Sequence, residues 1–421
     1  MAIQKILIVN LHSARNLGDD AIMAATLAGL AGRYPAAQVT AAANDPESWH
    51  HHTIATAPSL ATWLGDPQLG EWRRRLPLAP VYGMLLIVAA LCHRLFGLDL
   101  LFGDGSKRRL LQSYYAADLV LSCGGGNFYA HRRVSPALIY ALGAIAFPAL
   151  LGKRVIMLPQ SVGPIDGSLQ RKLARMVFSR VDTIMVRDPA SQDFVTTTLG
   201  VGTPVHLQPD LAFGLARAST DPAPTPTAGT TSRHLHVGVT VLDRGLQTAQ
   251  FQSQPAYEDA LVEFACALAV SRPCRFHFLV QCTGPSRDQD DRAVTWRVAH
   301  RCQGRGLDVE VMDEIPSSGA LLHHLRAMDW VLGTRMHTAI LALGQGAPTV
   351  LVGYQPKSCS MMTSFGLGEN CHTIDGLTSA WLAQRADALL ADLPAARRTV
   401  AQRLEPVAHA SRRWLEHLPH G

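Results

Sequence analysis

Arg335 and His337 stand two residues apart in the segment "GTRMHTAI" (333–340), where a short apolar run gives way to a helical pattern. A guanidinium binds carboxylate and phosphate groups through parallel hydrogen bonds. An imidazole titrates near neutral pH and is the side chain that most often transfers protons in catalysis. The pair predicts a site that binds an anion and moves a proton beside it, although a polar surface loop has the same residue types.

Further groups able to bind an anion follow other predicted strands. Tyr354 and Lys357 ("GYQPK") come at the end of the next strand, and Arg187 ("VRDPAS") ends a strand in the first half of the chain. Asp188, followed by a proline, predicts a helix cap, whereas Arg187 has no capping role. An anionic ligand is one explanation of Arg187, and a structural ion pair with Asp188 or Asp210 is the other.

Two carboxylates follow the first predicted strand, in "NLGDDAI" (16–22). The positive end of a helix dipole favours acidic residues, so we expect one of Asp19 and Asp20 to serve the helix start. A carboxylate at the end of a strand can also accept a hydrogen bond from a sugar hydroxyl. The segment is therefore a candidate for both roles.

Two loops offer neutral groups at strand ends, "SCGGGNFY" (122–129) and "LPQSVGP" (158–164). Consecutive glycines expose backbone N–H groups that can hold an anion, or they simply form a tight turn. The first loop is not a dinucleotide fingerprint, because the third glycine of that motif is missing. The candidate cleft residues from these loops are Gly124, Gly125, Gly126, Asn127, Gln160 and Ser161.

Apolar strands and helical patterns alternate along both halves of the chain. We predict strands over 5–11, 38–43, 117–123, 154–160, 183–188, 204–213, 236–242, 276–282, 309–314, 330–334 and 348–354. Strands that are apolar from end to end and alternate with helices are typical of parallel sheets covered on both faces. The predicted fold class is α/β, with two Rossmann-like parallel-sheet domains facing a cleft at the carboxyl ends of their strands.

The chain of 421 residues is long enough for two domains. A segment rich in Pro, Thr and Ala over 216–233 predicts a linker. We therefore place an N-terminal α/β domain at 1–215, with an insertion at 73–109, and a C-terminal α/β domain at 234–385. Residues 386–421 are predicted to form helices, which can pack back on the first domain.

Composition narrows the possible functions. The chain is 48% hydrophobic and 17% charged, which is typical of a folded globular protein. Its net charge is +5, but the basic residues are spread along the sequence, so a nucleic-acid partner is not expected. The eight cysteines form no C-x-x-C pair, which predicts reduced thiols and no metal site. The N-terminus predicts a first buried strand rather than a signal peptide, and so a cytoplasmic protein.

One segment departs from the alternation, "LAPVYGMLLIVAALC" (78–92). It is shorter than the ~20 residues that span a bilayer. Three arginines (73–75) precede it, and His93 and Arg94 follow it. A buried helix and a helix lying in the plane of a membrane surface both agree with this pattern.

Seven motifs, in this order, resemble those of the polysaccharide pyruvyl transferase family. They are "NLGDDAI", "CGGGNF", "LPQSVGP", "VRDPAS", "QPDLAF", "GTRMHTAIL" and "GYQPKS", which together run from residue 16 to residue 358. The stretch from "QCTGPSRDQDD" to "SFGLGE" is particularly similar to the colanic-acid branch of the family.

The resemblance implies a fold similar to that of B-type glycosyltransferases. It also implies transfer of pyruvate from phosphoenolpyruvate, as a ketal, onto a sugar hydroxyl pair of an exopolysaccharide or lipid-linked oligosaccharide precursor. No cofactor is implied beyond this donor, and such an acceptor would bring the protein to the cytoplasmic face of the membrane as a peripheral protein.

Carried over to this chain, the resemblance implies that His337 and Asp19 are catalytic. The donor-binding residues that it implies are Asn16, Arg187, Arg335, Lys357 and Arg244. Relatives often carry an arginine shortly after the first strand of the second domain, and Arg244 is offset from that position by a residue or two.

Two other functions agree with the same residues. A B-type glycosyltransferase would use Arg335 and Lys357 to bind the diphosphate of a nucleotide sugar. A protein without catalytic activity could bind lipid-linked glycans as a scaffold in an assembly complex.

Overall fold

A computed structural model of the chain describes residues 2–64, 78–132, 135–216, 234–248, 251 and 253–420. The chain divides into two compact units. Unit 1 consists of Met1–Ala14, Ile22–Leu211 and Ala410–Gly421, and unit 2 of Arg15–Ala21 and Ala212–His409. Most of the predicted linker, and the three arginines at 73–75, lie outside the described residues.

Unit 1 is built on a parallel sheet of eight strands. The strands are β1 Lys5–Leu11, β2 Gln38–Ala43, β3 Ala55–Pro58, β4 Leu119–Ser122, β5 Gly125–Ala130, β6 Arg154–Ile165, β7 Thr183–Val186 and β8 Val205–Leu207. Their order is β3-β2-β1-β4-β6-β7-β8, and β5 pairs with β6 beside this path. The central strands β1 and β4 are buried almost completely, because their sequences are apolar from end to end.

The described residues of the first half of the chain form six α-helices. They are α1 Leu17–Arg33, α2 Ala79–Phe96, α3 Gly105–Ala116, α4 Pro136–Leu150, α5 Ser168–Phe178 and α6 Pro189–Asp193. Asp188 caps α6 by accepting a hydrogen bond from the Ser191 backbone N–H, as predicted. The C-terminal residues also belong to unit 1, where the Tyr34 hydroxyl donates to the Pro419 carbonyl.

Unit 2 contains a second parallel sheet, of six strands. The strands are β9 Leu235–Val239, β10 Cys274–Leu279, β11 Asp308–Met312, β12 Trp330–Gly333, β13 Thr349–Gly353 and β14 Cys371–Thr373, in the order β11-β10-β9-β12-β13-β14. The helices are α7 Arg244–Gln247, α8 Gln254–Ser271, α9 Arg292–Gln303, α10 Ser318–Arg326, α11 Met336–Gly344, α12 Pro356–Ser364, α13 Ser379–Ala391 and α14 Leu393–Ala410. The predicted pair of parallel-sheet α/β units is therefore confirmed.

Each of the eleven predicted strands is present, and the described part of the chain has three more that were missed. The missed strands β3, β5 and β14 have only four, six and three residues. One contains a proline, one begins with two glycines and one is partly polar, so none has the apolar run that marks a buried strand.

The prediction that all cysteines are reduced is wrong for two of them. Cys359 in α12 and Cys371 in β14 form a disulfide, with their Cα atoms 5.4 Å apart. The other six cysteines are free thiols. The pair lacks any spacing motif, because it joins a helix to the strand that follows it in the sheet.

Candidate active site

The strand order of unit 2 identifies one edge of its sheet as the place for a ligand. The chain runs outward from β9 to β10 and β11 and then returns to pair β12 with β9. Ligands of open α/β sheets bind outside the carboxyl ends of the strands at such a switch point. Arg244 follows β9, Arg335 and His337 follow β12, and Tyr354 and Lys357 follow β13. The predicted residues of this half of the chain therefore all lie at the switch point of one sheet.

Arg335 forms a buried ion pair with Asp291. Its Nε donates to one carboxylate oxygen over 2.6 Å and its Nη2 to the other over 2.7 Å. The Arg335 side chain is 9% exposed and that of Asp291 is 3% exposed. The second terminal nitrogen, Nη1, has no protein partner among the residues described. This carboxylate therefore holds the guanidinium in one orientation.

Burial opposes the charge on both members of this pair. Burial raises the pKa of Asp291. Burial alone would lower the pKa of Arg335, but the neighbouring Asp291 carboxylate outweighs this effect, so the pKa of Arg335 is raised. We treat the pair as ionised, because arginine keeps its proton in proteins and the two-point contact fits a carboxylate. Burial also raises the pKa of the nearby Cys282 thiol to about 11, so this cysteine is not a nucleophile at neutral pH.

Arg244 joins this group through Tyr354. Its guanidinium carbon lies 5.3 Å from the centre of the Tyr354 ring, a distance at which cation and ring attract each other. One terminal nitrogen donates to Gln247 over 3.1 Å. Burial, opposed by the nearby Arg335, raises the pKa of Tyr354. The offset position of Arg244 in the sequence thus still places it beside the residues that follow β12 and β13.

The segment between β1 and α1 contributes to the same group, because residues 15–21 belong to unit 2. The Asn16 side chain caps α1 by accepting from the Gly18 N–H over 3.0 Å, and it donates to Asp19 over 3.2 Å. The Leu17 N–H donates to the Gln281 carbonyl over 3.0 Å, just after β10. Asp20 accepts from the Ser318 N–H at the start of α10 over 2.6 Å. Asp20 therefore bonds to the start of α10, whereas the predicted cap at the start of α1 is supplied by Asn16; Asp19 is left partly exposed.

Gly18 packs directly against His337. A Cβ atom built on Gly18 would come 2.5 Å from Cγ of the imidazole and 2.8 Å from its Cβ, closer than real contacts of this kind. Only glycine leaves room for the ring at this point. Thr338, the next residue, donates from its hydroxyl to the Gln281 side chain. The beginning of α11 is thereby fixed beside the segment that carries Asn16 and Asp19.

Two helices begin at this edge without a side-chain cap. The residues before α11 and α12 are Arg335 and Gln355, and neither side chain bonds to the first turn of its helix. The positive end of a helix dipole favours anions. Lys357 lies in the first turn of α12. These two helix starts therefore add to the positive character of the arginines.

Arg187, in unit 1, is almost completely buried and forms a second ion pair. Its Nη1 donates to Asp210 over 2.5 Å, and its Nε donates to the Ser161 hydroxyl over 2.9 Å. That hydroxyl donates in turn to the cap residue Asp188 over 2.7 Å. The ion pair with Asp210 is one of the two roles predicted for Arg187, and it leaves Nη2 without a protein partner among the described residues.

The glycine-rich loop of unit 1 allows a close approach of two strands. A Cβ on Gly124 would lie 2.7 Å from the Pro159 carbonyl, and Gly125 has a φ of +130°. Gly126 and Asn127 continue into β5, and Asn127 donates to the Asn10 carbonyl over 2.8 Å. Gln160 in β6 is fully buried, and neither polar atom of its amide has a partner in the part of the chain described.

Sequence reasoning missed Asp291 and Gly18. Asp291 is the second of two adjacent acidic residues in "RDQDD", and the first, Asp290, pairs with Arg292 two residues on. The sequence signal for Asp291 was therefore an acidic residue with no local partner. Gly18 had no distinguishing signal, because a glycine before a helix commonly serves a turn.

A protein of polysaccharide biosynthesis is similar to part of this chain. The chain aligns with Amylovoran biosynthesis protein AmsJ of Erwinia amylovora with 28% identity over 268 residues, which is 61% of this chain and 63% of AmsJ. The chain thus matches less than two thirds of the length of that relative.

Solved structures share the fold at low identity. The UDP-GlcNAc 2-epimerase of Neisseria meningitidis superposes with a TM-score of 0.58 and 11% identity, covering 98% of this chain and 99% of the epimerase. The glycotransferase of kitacinnamycin superposes with a TM-score of 0.52 and 13% identity, covering 99% and 98%. The predicted likeness to glycosyltransferases in fold is confirmed.

The sequence profile of the polysaccharide pyruvyl transferases matches residues 16–356, which include every predicted site residue except Lys357. The match begins at Asn16, which caps α1, and ends at the first residue of α12. The chain belongs to the polysaccharide pyruvyl transferase family.

Proposed function

We propose that this chain transfers the pyruvyl group of phosphoenolpyruvate to two hydroxyls of one sugar, forming a ketal on an exopolysaccharide or lipid-linked oligosaccharide precursor. The observation that carries the proposal is the group of Arg335, Arg244, Lys357 and His337 at one switch point, in a chain of this family. Phosphoenolpyruvate carries a carboxylate and a phosphate, so its binding needs several positive groups close together.

Arg335 is the central donor-binding residue in this proposal. Asp291 fixes its guanidinium through Nε and Nη2, and Nη1 keeps two N–H groups for the donor. A cation that is already oriented before the substrate arrives stabilises developing charge without reorganisation. Arg244, Lys357 and the two uncapped helix starts supply the further positive charge that a doubly anionic donor requires. Arg187, with Asn16, stays a predicted donor-binding residue.

His337 moves the proton. Transfer begins when the methylene carbon of the donor is protonated, which leaves an oxocarbenium-like C2. A sugar hydroxyl attacks C2 and loses its proton, the bond from C2 to the phosphate oxygen breaks, and phosphate leaves with the electron pair. A second hydroxyl then attacks C2 and closes the ketal. The second hydroxyl gives its proton to the departing phosphate. The gain of oxygen at C2 is balanced by the gain of hydrogen at the methylene carbon, so we propose no redox cofactor. Asp19 is the second candidate for proton transfer.

We propose a polysaccharide precursor as the acceptor. AmsJ is named for the biosynthesis of amylovoran, which supports a polysaccharide precursor as the acceptor class. We propose that the chain meets this acceptor in the cytoplasm, at the inner face of the membrane, and has no nucleic-acid partner.

A donor competition tests the proposal against the nucleotide-sugar alternative. We expect phosphoenolpyruvate to raise the melting temperature, by mass action on the folded state, and UDP-GlcNAc to leave it unchanged. Inorganic phosphate at the same concentration is the control for general anion binding. Stabilisation by UDP-GlcNAc alone would favour a glycosyltransferase. Donor binding without any phosphate release in the presence of acceptor would favour the scaffold.

The role of His337 is tested by His337→Gln. Loss of a positioned general acid or base lowers kcat by about 10²–10⁴. We expect this loss with little change in the melting temperature. A folded variant with near-normal turnover would remove His337 from the mechanism and turn attention to Asp19→Asn.

A further inference from the structure

The outer face of helix α2 (Ala79–Phe96) is apolar and open to solvent. The helix is long and apolar enough, by length and composition, to cross a membrane, yet only 11% of it is buried. Large apolar side chains on its outer face are between 43% and 69% exposed. They are Val81, Met84, Ile87, Val88, Leu91 and Leu95. Exposed apolar surface of this extent marks an interaction site.

The opposite face of α2 is packed on unit 1. Ala89 and Ala90 are buried, and Tyr82 and Leu86 pack against the core of the unit. These residues recur at helical spacing along the length of α2, so the helix lies along the unit. A helix attached in this way on one side cannot cross a bilayer, because a spanning helix would have lipid or other membrane helices around it. It can enter a membrane only in the plane of the surface.

The stretch of sequence that contains this helix is basic. Residues 73–109 contain seven basic and two acidic residues, a formal charge of +5. The whole chain also has a formal charge of +5, so the other residues are balanced overall. Of these basic residues, Arg94 lies in the last turn of α2, and Arg108 and Arg109 are exposed on α3. The apolar helix and the net charge of the protein therefore belong to the same stretch of the sequence.

We propose that the outer face of α2 docks this protein on an anionic lipid surface, with the helix lying in the headgroup plane. The apolar side chains enter the boundary with the acyl chains, and Arg94, Arg108 and Arg109 face the anionic headgroups. A second copy of the chain is the other occupant of an apolar face. A two-fold dimer through α2 would place one positive segment against another, which opposes that contact.

The apolar part of the proposal is tested by co-sedimentation of the full chain with vesicles of phosphatidylcholine and phosphatidylglycerol. Met84→Gln with Leu91→Gln should lower the partition coefficient at least about tenfold, since it removes two large apolar side chains from the docked face. Leu169→Gln with Met176→Gln is the matched control, because both residues are exposed on α5 of the same unit. The control should bind as the wild type does. Equal binding of all three proteins would overturn the proposal.

The electrostatic part is tested by Arg108→Glu with Arg109→Glu, against Lys172→Glu with Arg175→Glu on α5. The first pair should lower binding to anionic vesicles at least about tenfold and the second should not. Raising the salt from about 0.1 M to about 1 M should weaken wild-type binding as the Debye length falls from about 10 Å to about 3 Å. Equal loss in both variants would overturn a docking surface at α2.

Light scattering in the absence of vesicles separates the two occupants. The proposal predicts the same mass for the wild type and for Met84→Gln with Leu91→Gln. A dimer that this variant dissociates would assign the face to a second copy and overturn the proposal. Vesicles contain neither donor nor acceptor sugar, so failure here leaves the proposed pyruvyl transfer in place.

Discussion

Removing the carboxylate of Asp291 should destabilise unit 2 strongly. Arg335 is buried and gives two hydrogen bonds to that carboxylate. Asp291→Ala leaves the guanidinium in the same place without its counter-charge. Breaking a buried ion pair from one side costs about 3–5 kcal/mol of the free energy of unfolding. With a urea dependence of about 2–3 kcal/mol/M, the midpoint of unfolding should fall by about 1–2.5 M.

Removing both partners should be far less harmful. Replacing a buried ion pair by apolar side chains of similar volume is often neutral. Asp291→Leu with Arg335→Met is therefore expected to lie within about 1 kcal/mol of the wild type, much less than the sum of the single variants. Urea unfolding of the wild type, Asp291→Ala, Arg335→Ala and this double variant measures the coupling of the pair.

The double variant also separates folding from donor binding. It is expected to fold but to lack the Arg335 guanidinium, and a hydrogen bond to a charged group contributes about 1.5–3 kcal/mol. Its affinity for phosphoenolpyruvate should fall by about 10-fold to 150-fold in titration calorimetry. A stable double variant with unchanged affinity would show that Arg335 is only structural. A loss below about 1 kcal/mol in Asp291→Ala would refute the buried pair itself.

Other predictions concern the residues around this pair. Gly18→Ala should displace the His337 ring and lower turnover by about 10²-fold, whereas Gly32→Ala in the same helix, where a Cβ meets no atom within 4 Å, should leave turnover unchanged. Lys357→Ala should weaken phosphoenolpyruvate binding by about 10-fold to 150-fold with little effect on the melting temperature; equal affinity would remove it from the donor site. Burial and the neighbouring imidazole of His236, in β9, lower the pKa of His277. The unfolded chain then takes up a proton that the folded chain does not, so the free energy of unfolding should fall as the pH drops below about 6.5, and less so in His277→Gln.

Much of the fold was predictable because each sheet is parallel and buried. The strands of each sheet are continuous apolar runs, whereas the helices between them have apolar residues that recur about every 3.6 residues. The polar residues that follow such strands must lie at one edge of a sheet, which is why Arg335, His337, Tyr354 and Lys357 could be grouped before the structure was known. The structure further shows which strands are neighbours. Because β9 pairs with β12, Arg244 lies beside the residues that follow β12.

Pairings between distant residues could not be read in the same way. Asp291 reaches Arg335 across 44 residues, and the sequence shows only that both are charged. Arg187 had two alternatives, a ligand and an ion pair, and the structure gives it Asp210. The contact of Gly18 with His337 depends on the packing of residues 15–21 in unit 2, which no local pattern indicates.

The segment at 78–92 shows a different limit. A helix that is apolar on all sides is buried in most soluble proteins, and its sequence does not reveal whether the second face is covered. The structure covers the face that contains Tyr82 and Leu86 and leaves the face that contains Met84 and Leu91 exposed. Burial in the core of unit 1 thus explains why one face of the helix is apolar, but it does not explain the apolar side chains of the other face.

The central claim is pyruvyl transfer from phosphoenolpyruvate, and its most direct test is the fate of the donor's methylene carbon. The chain is incubated in D₂O with phosphoenolpyruvate and a lipid-linked oligosaccharide extract from cells that lack this protein, and phosphate release and the glycan mass are measured together. The account predicts one phosphate released for each ketal formed, and a ketal methyl group that contains one deuterium from solvent. A glycan that gains a three-carbon group still containing an unlabelled methylene, or one that gains a sugar from UDP-GlcNAc and nothing from phosphoenolpyruvate, would contradict it.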